Sequence, residues 1–183
     1  MCRFLTGPAR IQQTKKRRIW KLFDNELYKG NDGCIYIVPR SMLTDNYTIP
    51  LIVAFIAGSP VDFDTRASHL HDLACFGHAV IEVTLKEHEL RDKGFLRYSD
   101  KNKMWVCEDI PKEYLRIRKV GKFGANNLLY ECMEASWVPL ISRIIIRIGV
   151  CFNLSFYSFS WGYTIPHCFR RASITCITFT VSS

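Results

Sequence analysis

Bulky and polar residues alternate through "RIWKLFDNELYKG", the turn-forming "NDG" follows at Asn31 to Gly33, and "CIYIVP" resumes the apolar run. Period-two alternation on both sides of an Asp-Gly turn predicts a β-hairpin near the N-terminus. Pro50 biases Ile49 away from helix and closes the polar loop "RSMLTDNYTIP". The apolar "LIVAFIAGSP" is either a short buried helix or a buried strand, because periodicity cannot separate the two at this length. Asp64 stands where a helix through "TRASHLHDLACF" needs an N-cap, and Gly77 stands where it should end.

Further on, Thr84 and Glu87 have the spacing of a capping box at the head of a short helix that stops at Gly94. "FLRYS" and "KMWVC" around "DKN" predict a second hairpin. From Ala125 the positions Leu128, Leu129, Cys132, Met133, Trp137, Leu140, Ile141, Ile144, Ile145 and Ile148 keep helical spacing, and Pro139 splits the run into a bent or paired helix. The pattern as a whole predicts a single α+β domain: an N-terminal β-hairpin, a central helix, a small hairpin insertion and a bent C-terminal helical pair. Its expected bounds are residues 19–150, between a basic segment 1–18 and an apolar tail 151–183.

The chain of 183 residues is long enough to bury a core without disulfides or a structural metal. The eight cysteines lack paired C-x-x-C spacing, so reduced and mostly buried thiols are expected. A formal net charge of +8 favours an anionic partner: nucleic acid, anionic lipid or an acidic protein surface. The cluster Lys15-Lys16-Arg17-Arg18 adds to that charge and reads first as a solvated segment. No helix carries a basic recognition face, so sequence-specific DNA binding is not expected. The start of the chain has no signal-peptide pattern, and Asn153, the serines, Pro166 and His167 interrupt the tail too often for a membrane span.

The chemistry concentrates in "ASHLHDLACFGH", residues 67 to 78. On a helix His69 and Asp72 share a face, while His71 stacks with Ala67 and Cys75. His71 and Asp72 could serve as a base with a carboxylate, or as two ligands to a divalent metal; Asp45, in its polar loop, could join them. The competing reading is a structural clasp, with Asp72 answering a buried donor and a histidine filling the core.

Three blocks stand in order: "VPRSMLTDNYTIP", "ASHLHDL" and "ANNLLYECMEASWVPLISRIIIRIGV". Together, over roughly Ile19 to Val150, they resemble the signature blocks of the phage and prophage domain-of-unknown-function family 1353, written V-P-x-G-F-x-T-D-x-x-S-x-P, A-x-x-H-D-x-x-Y and A-D-x-x-F-Y-x-A-M. Val38, Pro39, Thr44, Asp45 and Pro50 match the first block, Ala67 approximately and His71 and Asp72 directly the second, and Ala125, Tyr130 and Met133 the third. Ser41-Met42 replaces the Gly-aromatic pair, Thr48 a serine, and Asn126 an aspartate, and the tyrosine after the His-Asp pair is missing. The resemblance implies a phage- or prophage-encoded accessory protein, in the host cytoplasm or on the virion, and implies no reaction. Two functions are expected to compete: a hydrolase-like or metal-binding site at Asp45, His71 and Asp72, and a non-catalytic virion component or inhibitor of a host factor.

Overall fold

The computed structural model describes residues 2–15, 19–44 and 65–157. Ten strands lie among them: β1 (Arg3–Phe4), β2 (Ile11–Gln13), β3 (Trp20–Leu22), β4 (Glu26–Lys29), β5 (Ile35–Val38), β6 (Leu43–Thr44), β7 (Ala79–Val83), β8 (Leu96–Ser99), β9 (Met104–Cys107) and β10 (Leu115–Lys119). The helices are α1 (Arg66–Gly77), α2 (Glu87–Asp92), α3 (Lys122–Ala135) and α4 (Leu140–Tyr157). An antiparallel five-stranded sheet in the order β1-β4-β5-β7-β10 forms the centre. Strands β2, β3 and β6 make a second small sheet, and β8 and β9 a separate hairpin. The fold is α+β.

The predicted first hairpin is β4–β5. Gly33 N–H bonds Gly30 O across the turn and Gly30 N–H bonds Cys34 O. Gly33 sits at φ 80°, a left-handed conformation that glycine reaches without steric cost. Asp32 locks the turn: its carboxylate accepts the Cys34 N–H at 3.1 Å and the Tyr36 hydroxyl at 2.6 Å.

Both faces of this sheet are covered, which is why β5 is buried at every position. Alternation sends Tyr28, Tyr36, Val38 and Val80 to one face, where they pack with Leu70 and Ala74 of α1 and with Leu128, Leu129 and Cys132 of α3. It sends Leu27, Ile35, Ile37 and Val83 to the other, where Leu90 of α2 and Leu96 of β8 close over them. Helix α1 is buried around most of its girth because it lies between the sheet and α3.

Several boundaries differ from expectation. Residues 1–18 are not merely a basic lead-in, since β1 and β2 are built from them and pair with β4 and β3. Trp20–Leu22 belongs to the small sheet and not to the first hairpin, because β3 takes its partners from β2 and β6. Helix α2 is capped two residues later than Thr84 suggests: Lys86 N–H donates to Glu89 Oε2 at 2.6 Å, while the Thr84 hydroxyl donates to Tyr114 O. Helix α1 keeps Gly77 in its last turn and closes on His78, at φ 48°. The expected N-cap Asp64 and the apolar "LIVAFIAGSP" lie outside the described residues.

The C-terminal helical pair is α3 and α4, separated at Pro139. Helix α3 ends in a Schellman motif: Val138 N–H bonds Met133 O at 3.0 Å and Trp137 N–H bonds Glu134 O at 3.1 Å. Val138 and Met133 are both buried in the same core. The left-handed position of that motif, φ 59°, is occupied by Trp137. The apolar positions that keep helical spacing divide between core and surface. Leu128, Leu129, Cys132, Met133 and Ile146 face inward, whereas Trp137, Leu140, Ile141, Ile144 and Ile148 face solvent. Helix α4 continues past residue 150 to Tyr157, so the expected tail begins helical.

Candidate functional site

The polar groups of α1 point in several directions and meet partners on β4, β6 and α3. Because Glu26 shares the alternation of Tyr28, its side chain lies on the sheet face that α1 covers. A carboxylate there must be answered by donors. His69 Nδ1 reaches Glu26 Oε2 at 2.9 Å, and Ala9 N–H donates to Oε1 at 2.9 Å. Both side chains of the pair are 1% exposed, and a carboxylate acceptor requires that Nδ1 carry the proton. The spacing of His69 and Asp72 suggested a local pair on one helical face; the structure instead bonds His69 across to β4.

Asp72, 2% exposed, accepts the Thr44 hydroxyl on Oδ2 at 2.5 Å, which ties α1 to β6. Its Oδ1 lies 3.9 Å from His71 Nδ1. On the other side of that ring, Nε2 is 3.4 Å from Asn126 Oδ1 on α3 and 3.3 Å from Cys75 Sγ, one turn along α1. The stacking of His71 with Cys75 expected from the helix is therefore present. One nitrogen faces both neighbours: protonated, it donates to the Asn126 amide oxygen; unprotonated, it accepts the thiol proton. The neutral amide at 126, where the resembled pattern has aspartate, keeps an acceptor toward the ring and removes a negative charge.

Burial pushes the Cys75 thiol up to about 11, with the Asp72 charge adding to the rise and Lys122 opposing it. Among the described residues the cysteines Cys2, Cys34, Cys75, Cys107 and Cys132 are all free thiols. No group of three or more His, Cys, Asp or Glu side chains among them is placed to hold a metal ion. Asp45, the third residue proposed for the site, lies outside the described residues, next to Thr44.

The sequence singled out His71 and Asp72, and the structure brings them together. The sequence placed Cys75 beside His71 by helical spacing, but did not point to Glu26 or Thr44 as their company. For Glu26 a signal existed, an acidic residue on the apolar side of an alternating strand; for Thr44 and Asn126 the partner is distant in sequence and carries no local mark. Comparison with family models, curated proteins and solved structures finds no match to this chain. Among the described residues no helix is long and apolar enough to cross a membrane.

Proposed function

We propose that the chain is a non-catalytic binding or structural protein, a phage or prophage accessory as its motif order implies, in which Asp72, His71 and Glu26–His69 form a buried clasp. The observation that carries this reading is the near-complete exclusion of solvent from Asp72 together with the Thr44 hydroxyl on its Oδ2. A carboxylate so placed is a holder of β6 and α1, not a group offered to a substrate. The positive charge then serves recognition of an acidic partner, either a host factor or a virion component.

One observation favours a second reading. Asp72, His71 and Cys75 stand in the order of an orienting acid, a base and a nucleophile, with His71 Nε2 at 3.3 Å from the sulfur. Such a site would be hydrolase-like, with Asp45 or a divalent metal completing it. A thiol pushed up to about 11 leaves only about one molecule in 10,000 as thiolate at pH 7, which weighs against it.

The deciding experiment compares wild type with His71→Ala and Asp72→Ala by thermal denaturation, with and without Mg2+, Mn2+ or Zn2+. The clasp predicts a loss of ~2–4 kcal/mol for Asp72→Ala, from the lost Thr44–Asp72 hydrogen bond and the cavity left behind, and no response to metal. A melting temperature raised by one ion in wild type alone would replace the clasp with a metal site, because a ligand stabilises only the state that binds it.

A further inference from the structure

We infer that the outer face of α4, with Trp137 at its head, is a docking surface for an anionic lipid bilayer, on which the helix lies flat in the headgroup layer. The inference stands on the C-terminal helical pair alone and does not depend on how the clasp is read.

Leu140, Ile141, Ile144 and Ile148 occupy one side of α4 within about 100° of arc at 3.6 residues per turn. All four are exposed, Ile141 at 73%, while the opposite side carries the buried Ile146. From Leu140 to Ile148 the exposed stripe runs about 12 Å along the helix at about 1.5 Å per residue. The exposed Arg147 borders the stripe and is held in place by stacking on Tyr130, at 5.1 Å from its ring centroid, while Arg143, one turn before it, stacks on the same ring at 5.3 Å and pairs with Glu134. Arg147 also donates to the neutral amide of Asn127. From Ala135 to the end of the sequence there is no Asp or Glu.

Trp137 is the second, independent observation. At the left-handed position of a Schellman motif a glycine is the unstrained choice, and a tryptophan there costs roughly 1 kcal/mol. The ring gains no packing in return, since it is 87% exposed. A strained, projecting tryptophan just ahead of an apolar stripe bordered by an exposed arginine, in a chain of net positive charge, matches the chemistry of a membrane interface: acyl chains for the isoleucines, the headgroup layer for the indole, anionic phosphates for Arg147. A second copy of the chain fits less well. Two α4 faces brought together would oppose arginines, and α4 offers no carboxylate to answer them; the nearest, Glu134, is already 3.4 Å from Arg143.

The test is co-sedimentation of the full chain with vesicles of 70% phosphatidylcholine and 30% phosphatidylglycerol, against pure phosphatidylcholine. Wild type should partition onto the mixed vesicles, less so at high salt and less onto the neutral ones. Ile144→Glu/Ile148→Glu should weaken partition at least about tenfold with an unchanged circular dichroism spectrum, since both positions are exposed. Trp137→Gly should weaken partition while the melting temperature stays level or rises, a pair of opposite signs that a merely structural tryptophan would not produce. Undiminished partition of the double glutamate variant, or no partition of wild type, overturns the inference. A concentration-dependent dimer that the same variant dissolves, with no vesicle binding, assigns the face to a second copy instead.

Discussion

Replacing His69 with leucine removes the donor from Glu26 Oε2 while leaving Ala9 N–H on Oε1. The carboxylate stays in a site 1% open to solvent, where one backbone hydrogen bond cannot compensate for the loss of water. Leaving a buried carboxylate without its side-chain donor costs ~3–5 kcal/mol. For a chain of this size each kcal/mol moves the melting temperature by about 2–4 °C, so His69→Leu should lower it by roughly 6–20 °C. Glu26→Gln is milder, ~1–2 kcal/mol, because the amide still accepts from Ala9 and still presents a polar partner to the imidazole. The informative variant is the double one. His69→Leu/Glu26→Gln carries no stranded charge and should be more stable than His69→Leu alone, although it has lost two native side chains. Urea denaturation of all four proteins with a common m-value measures this. A melting temperature of His69→Leu within about 2 °C of wild type, or a double variant no better than that single one, would refute the reasoning that the pair is a buried charge held by its donors.

Three further outcomes are expected. Thr44→Val should cost ~2–3 kcal/mol by leaving Asp72 Oδ2 without its hydroxyl donor, and Asp72→Asn in that background should recover part of the loss in a double-mutant cycle. Burial pushes the Glu87 carboxyl up, but the hydrogen bond from Arg3 and the charges of Arg3, Arg91 and Lys29 more than offset it and hold the group below its ordinary range. A depressed folded-state value gives stability that is present above the ordinary carboxylate range and lost as pH falls through the folded value. Glu87→Gln should therefore lower stability by ~1 kcal/mol at pH 7, and the gap should close in acid as wild type protonates; thermal melts across pH 2–7 test it. Iodoacetamide should label Cys75 slowly at pH 7 and much faster toward pH 11, where its thiol ionises; rapid single-site labelling at neutral pH would instead support the nucleophilic reading.

What the sequence reveals here follows locality. The β4–β5 hairpin was legible because its turn residues and both alternating strands lie within thirteen residues, Glu26 to Val38. The α2 helix and the β8–β9 hairpin were legible for the same reason. The strand β10 was not: "LRIRK" alternates, but its pairing with β7 spans an insertion. Strands β1 and β2 are two and three residues long and exist only because β4 and β3 supply their partners. Within the candidate site, His71 and Cys75 were connected by helical geometry alone. Glu26, Thr44 and Asn126 meet the helix across 43, 28 and 55 residues of chain, a separation that no periodicity encodes. The exposure of the α4 face was not legible for a physical reason: isoleucine at helical spacing reports an amphipathic helix, and does not say whether the apolar side meets the protein's own core or something outside it.

The strand order β1-β4-β5-β7-β10 also dictates a schedule for synthesis. One edge of the sheet begins at Arg3 and the other ends at Lys119, and the helix that carries Asn126 onto His71 begins only at Lys122. A chain emerging from the ribosome thus completes Tyr28, Tyr36 and Val38 before α1, which packs on them, and long before α3, which closes over α1. The core on this side of the sheet stays incomplete until the last helices are made, and pairings of such long range are slow to close. A truncation before α3 should accordingly be aggregation-prone, and it is in the cell's handling of the nascent chain, more than in the finished fold, that this topology makes its demand.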